Sequence, residues 1–287
     1  MNVQEEPPVD TANAFGASGS TASPLVRGII ATLVIVGYVA LGFALGLGAD
    51  AYLLLGIPIT IGIQALVVRR PLRALWLRGG RAITITARSL VAVAVVSLAP
   101  AMIAIAGAQA GDFVRAGYGL AGIVGAFGAV HAIRAMTGDA ALATVRATLI
   151  NTAILAAVMT AFRLATGGFD GQVARAATTI AISIATYVPA VFVIEEVLFR
   201  GLIDPYLHAS AAGRDRGTAL YGSVLWGLWH LPVMSVDLGV LTIPYLVAIH
   251  GVLGVVLVAA WRRTGNLAAP GIAHAVSDAV RNGLAVL

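Results

Sequence analysis

The stretch VPAVFVIEEVLFRG, Val188 to Gly201, sets two adjacent glutamates, Glu195 and Glu196, and an arginine, Arg200, into an otherwise apolar run. Such a run is long enough for a membrane helix only if those charges have a reason to be there. The rest of the chain supplies the setting. Hydrophobic residues make up 59% of its 287 residues and charged residues only 11%, and its mean hydropathy is +0.93. Soluble domains carry about 25% charged residues. A chain this poor in charge cannot coat a globule with polar surface, so lipid covers part of it. Runs of about 20 apolar residues occur near 26–48, 50–68, 84–107, 117–136, 143–163, 176–200, 217–234, 240–261 and 267–285. The expected fold is all-α, a polytopic membrane helical bundle of eight to nine transmembrane helices.

With no cysteine, the chain has no disulfide framework, thiol nucleophile or thiolate metal site. The net charge of +5 comes from arginine alone, since no lysine is present. Arg69, Arg70, Arg73, Arg78 and Arg81 fall in one loop, Arg214 and Arg216 in a second, and Arg262 and Arg263 in a third. That is the pattern of the positive-inside rule, not of a nucleic-acid footprint, and no nucleic-acid partner is expected. With nine spans, all three loops fall on one side, which places the N-terminus in the cytoplasm. Residues 1–24, rich in Pro, Ser, Thr, Ala and Gly, lack the basic and apolar regions of a signal peptide and read as a disordered tail.

Two halves follow. Residues 25–173 read as accessory transmembrane helices with few ionisable groups. Within them Gly119, Gly122, Gly125 and Gly128 recur every three residues, a pattern for close helix packing. Residues 174–287 hold most of the intramembrane polar chemistry: Glu195, Glu196, Arg200, His230, His250, His274 and Asp278. A central acid or arginine costs about 2.5–3.5 kcal/mol on insertion scales, so three unpaired acids would cost on the order of 9 kcal/mol. They are expected to be paired or to face a wet cavity.

Three pairs stand at helical spacing. Glu196 and Arg200 share a face, while Glu195 points about 100° away, leaving one glutamate paired and the other available. Trp226 and His230 are four apart, with Pro232 set to end or bend the helix. His274 and Asp278 are four apart, and an aspartate there can fix the tautomer of the histidine. No HExxH zincin pattern, Walker sequence or GxGxxG is present, and GASG (16–19) lies in the polar tail. His250 matches no motif, and His131 and His208 are read as solvated near helix ends.

Together these residues resemble the CAAX protease and bacteriocin-processing family of membrane endopeptidases, the ABI domain, whose motifs are EExxxR, FxxxH and HxxxN. Here they read Glu195-Glu196-Val-Leu-Phe-Arg200, Trp226-Gly-Leu-Trp-His230 and His274-Ala-Val-Ser-Asp278. The resemblance covers about 174–287, which would then be the catalytic core. It implies an endopeptidase that cuts a peptide or protein substrate at the bilayer with activated water, in a multi-pass protein of a bacterial plasma membrane. Glu195 would be the base, assisted by His230. Arg200 would steady Glu196 or Glu195, and His274 with residue 278 would stabilise the oxyanion. No cofactor is implied, although zinc on Glu195, His230 and His274 is an alternative.

Two departures stand out: Trp226 replaces Phe, a conservative change by this reading, and Asp278 stands where Asn is common. An ionised Asp cannot donate to an oxyanion. The amide pattern favours a protonated Asp278, so that Asp278→Asn would keep activity. A carboxylate that orients His274 or binds a metal predicts the opposite. Two further readings compete: a non-catalytic membrane scaffold or bacteriocin-immunity protein, opposed by the intact Glu195, His230 and His274, and a solute transporter, which lacks an inverted repeat.

Overall fold

The computed structural model describes residues 22–80, 82–208, 215–234 and 238–287. The predicted disordered tail up to residue 21, Arg81 and Arg214 lie outside the described residues. Among these residues the chain forms eleven α-helices and no β-strand. They are α1 (Pro24–Ala44), α2 (Ala49–Gly62), α3 (Ala87–Val96), α4 (Leu98–Gln109), α5 (Phe113–Arg134), α6 (Gly138–Thr166), α7 (Val173–Val191), α8 (Asp204–Leu207), α9 (Arg216–Trp229), α10 (Thr242–Thr264) and α11 (Ala268–Ala285). The protein is a polytopic membrane helical bundle. Among the described residues, six helical stretches are long and apolar enough to cross a bilayer, or seven if α3 and α4, bent by 53° at Ser97, form one span. The other two expected segments are also helical but differ in kind. Helix α9 has only 14 residues before His230, Leu231 and Pro232 turn the chain. Helix α11 has 18 residues but carries His274, Ser277, Asp278, Arg281 and Asn282.

The glycine series on α5 sits where backbones cross. A Cβ at Gly119 would meet the backbone of Ala104, one at Gly122 the ring of Pro100, one at Gly125 the Pro189 carbonyl, and one at Gly128 the Trp76 indole. Small residues thus let α4 and α7 approach α5 without intervening side chains. Replacing Gly125 with Val is expected to lower stability by about 1–3 kcal/mol through overpacking. Thermal unfolding of the purified protein in detergent reads that loss; an unchanged midpoint would mean that α5 and α7 are free to separate.

One sequence-based boundary moves. The segment 176–200 is not one helix: α7 ends at Val191, the chain turns through Phe192–Ile194, and a second helical segment starts at Glu195. Pro189 in the last turn of α7 has no N–H to continue the ladder, and the Val193 and Ile194 amides both bond to the Ala190 carbonyl. The Phe192 carbonyl, released by the turn, accepts the Trp76 indole N–H at 2.7 Å. After Glu196 the backbone widens into a π-helix, Val197–Ile203, that runs into α8. The two glutamates therefore open a helix inside the bundle, not the middle of a span.

The end of the bundle that carries the arginines is tied shut. Arg262 forks onto Asp204, with Nη2 2.6 Å and Nε 3.0 Å from Oδ1, and Nη2 also donates to Thr218. Arg78 donates to the Arg262 carbonyl, and burial pulls its guanidinium down to about 10. Asn266 bridges α5 and α11, donating to the Ala132 carbonyl and accepting from the Ala268 amide. His208 is buried here rather than solvated, because α8 tucks it against the bundle. Burial, then the Arg262 charge, hold its imidazole below the usual histidine range. His131 is half-buried too, with Nε2 enclosed; it lines a cavity of about 230 Å³ with Ile83, Phe127 and Arg134.

Candidate active site

Glu195 and Glu196 enter from the segment after α7, Trp226 and His230 from the end of α9, His250 from α10, and His274 and Asp278 from α11. Glu195, Glu196, Arg200, His230, His274 and Asp278, the six side chains given site roles in the sequence, converge. Glu196 and Arg200 are fully buried and paired, with Nη1 2.9 Å from Oε1. The same Glu196 oxygen accepts from His274 Nδ1 at 2.8 Å. A carboxylate only accepts, so Nδ1 carries the proton and the opposite nitrogen of His274 looks elsewhere. Nε2 lies 3.5 Å from Asp278 Oδ2 and 4.0 Å from Glu195 Oε2.

Glu195 has a different environment. Its Oε2 accepts the Trp226 indole N–H at 3.1 Å and lies 3.5 Å from His230 Nε2. His230 Nδ1 donates to the Trp226 carbonyl at 2.8 Å, which fixes the ring and turns Nε2 towards the carboxylate. Glu196 is locked by two donors, whereas Glu195 is partly open. The two neighbours in sequence thus have separate geometric roles.

Trp226 is more than a conservative stand-in for phenylalanine. Its ring carries the Arg200 guanidinium 4.2 Å above the face, a cation–π contact, while its N–H reaches Glu195. A phenylalanine offers the face but no donor. Asp278 is paired with Arg281, whose Nη1 is 3.2 Å from Oδ1. This carboxyl is thus flanked by a guanidinium and an imidazole. His250, which the sequence sets at membrane depth without a motif, also joins the cluster. Its ring lies 4.2 Å from that of His230, tilted 32°, and stands edge-on to Trp226 at 4.7 Å. Its Nδ1 bonds the Leu246 carbonyl, as His230 bonds the carbonyl four residues back. The available signal lay in glycine: a Cβ at Gly227 would strike Leu246 and His250, and one at Gly254 would strike Ser223, so α9 and α10 must cross here.

Three carboxylates, two guanidiniums and three imidazoles therefore share one polar core. Among the described residues no group of three or more His, Asp or Glu side chains has the arrangement of a metal site. What the cluster offers is a carboxylate and an imidazole facing the same space, with a second imidazole within reach.

Residues 177–280 match the Rce1-like family, described as type II CAAX prenyl endopeptidase. The Rce1-like segment is a little over a third of the chain and contains all six residues above. It runs from the first turns of α7 into the last of α11, over the same stretch that carries the three motifs. No curated protein and no solved structure matches the chain.

Proposed function

We propose that this protein is an intramembrane endopeptidase that uses Glu195 as a general base on water. The observation that carries the reading is the division between the glutamates: Glu196 is locked by Arg200 and His274, while Glu195 is open and faces His230. The Rce1-like match supports the reaction class. In the proposed step Glu195 takes a proton from a water, whose oxygen bonds to the scissile carbonyl carbon. The developing oxyanion is met by the Nε2–H of a protonated His274, held by Glu196 and Asp278. As the C–N bond breaks, the proton on Glu195 passes, with His230 assisting, to the leaving amine, so the products are a new carboxyl end and a new amine end. An oxyanion donor of this kind contributes about 2.7–4 kcal/mol. The positive-inside rule supports a cytoplasmic N-terminus, because the arginine loops share one side.

The test is hydrolysis of a candidate peptide by the purified protein in lipid nanodiscs, in 18O water, with and without chelator. A water-attack mechanism puts one 18O in the new carboxyl end and none in Glu195 after a single turnover. Label in Glu195 would mean a covalent acyl-enzyme, and chelator-sensitive activity restored by zinc would mean a metallopeptidase on Glu195, His230 and His274.

In this reading Asp278 acts as an ionised carboxylate that keeps His274 turned and charged. Asp278→Asn is then expected to lower kcat about tenfold, or ~1.4 kcal/mol, with KM unchanged. Steady-state kinetics check this; undiminished kcat would restore the protonated-donor reading of the sequence.

A further inference from the structure

We infer that the cavity between α3, α5 and the stretch 82–86 binds one anionic phospholipid of the leaflet on the arginine side. Its phosphate rests on Arg134 and His131, and an acyl chain runs over Leu90 and Phe127. The inference stands apart from the peptidase reading, since none of the six site residues lines this cavity of about 230 Å³. Leu77 of the arginine loop and Ala135, just past α5, line it and fix it at the arginine end of the bundle.

The stretch 82–86 is neither helix nor strand, and the amides of Ala82, Ile83, Thr84 and Ile85 have no partner among the described residues. Irregular backbone with unpaired amides is not exposed to the hydrocarbon of a bilayer, so this wall of the cavity lies at headgroup level. The other walls run inwards from there. On α5, Phe127 is two turns, about 10 Å, deeper than Arg134; on α3, Val93 is one turn deeper than Ser89. Both helices pass from polar to apolar in the same direction, and Val93, Ala126 and Val130 form a small apolar cluster of their own at the deep end. Ile83, Leu90 and Phe127 are exposed, as the walls of an acyl slot open to lipid would be.

The polar end has donors to spare. Ser89 is committed to Thr86, to which it is tied in both directions as a capping box. Arg134 gives one nitrogen to Thr86 Oγ1 at 3.3 Å and meets no carboxylate among the described residues. His131 Nε2 is enclosed and has no partner among them, and a buried ring nitrogen calls for one. With its proton on Nε2 this ring donates to a phosphate oxygen, beside a guanidinium whose fork fits the same group. No acidic residue lines the cavity, so a choline or ethanolamine ammonium would find no counter-charge. Basic pockets between membrane helices on the cytoplasmic side are matched to anionic headgroups.

The test counts lipids retained by the purified, delipidated protein in native mass spectrometry, as phosphatidylglycerol or phosphatidylcholine is added with and without inorganic phosphate. Wild type is expected to retain one phosphatidylglycerol at least about fivefold more tightly than phosphatidylcholine, and inorganic phosphate is expected not to displace it. Arg134→Gln is expected to weaken phosphatidylglycerol binding about fivefold, the worth of one basic side chain at an anionic surface. Arg146→Gln, which removes an exposed arginine from α6, is expected to leave it unchanged. Equal retention of the two lipids would overturn the inference, as would undiminished binding in Arg134→Gln or an equal loss in Arg146→Gln. Displacement by inorganic phosphate would give the basic pair to a free anion and overturn the lipid assignment. The wild-type comparisons need no variant, so they decide the matter even if Arg134→Gln fails to fold. No arm depends on catalysis, so loss of the peptidase reading would leave this result untouched.

Discussion

Glu195→Gln is expected to yield a folded, membrane-inserted protein whose cleavage rate is lower by about 10²–10⁴-fold, the range that a positioned general base contributes. The substitution is nearly isosteric. The glutamine carbonyl can still accept the Trp226 N–H that Glu195 Oε2 accepts at 3.1 Å, so the end of α9 keeps its anchor. What is lost is an oxygen able to take a proton from water. The neighbouring substitution separates chemistry from architecture. Glu196→Gln removes the negative charge that Arg200 and His274 share, and its first effect is on the folded state, read as a lowered unfolding midpoint. If Glu195→Gln cleaves normally at normal expression, water is activated elsewhere and the assignment of the open glutamate fails.

The pairings that the sequence disclosed are those that follow from local geometry. Glu196 and Arg200, four apart, meet as spacing required, and His274 and Asp278 do the same. Those contacts form within one turn of helix. The break between α7 and the glutamates was not legible, because Pro189 in an apolar run is compatible with a kink, a stop or neither. Its outcome depends on the Pro189 backbone packed against Gly125 and on Trp76 bonding the freed Phe192 carbonyl, contacts made across more than sixty residues of chain. The place of His250 in the cluster was not legible for a similar reason. A histidine alone in a hydrophobic helix carries no pattern, and only the glycine-lined crossing of α9 and α10 brings it to His230. Trp226 was recognised but undervalued, because spacing places a side chain on a face without showing what its polar edge touches. The Asp278–Arg281 pair lay at helical spacing as well. Asp278 has two partners at helical spacing, His274 and Arg281, and spacing alone does not say that it meets both.

Arg200→Lys is the second substitution with a large expected effect, and it keeps the charge. Arg200 is buried with Glu196, and removing one partner of a buried pair costs about 3–5 kcal/mol. If charge were all that mattered, lysine would recover that cost. Two contacts argue otherwise: Nη1 is 2.9 Å from Glu196 Oε1 while the guanidinium carbon lies 4.2 Å over the Trp226 ring. A planar guanidinium can present its edge to a carboxylate and its face to an indole at once, whereas an ammonium is a compact, strongly hydrated point charge that cannot reproduce both contacts. With lysine at this position the carboxylate keeps a counter-charge but the indole loses its cap, and Trp226 is the group that donates to Glu195. Arg200→Lys is therefore expected to lose most of its cleavage activity and to unfold at a lower temperature than wild type, with Arg200→Met lower still. Activity measured beside the unfolding midpoint separates the two effects. Full activity in Arg200→Lys would reduce Arg200 to a counter-charge and leave the orientation of Trp226 to the packing of α9 alone.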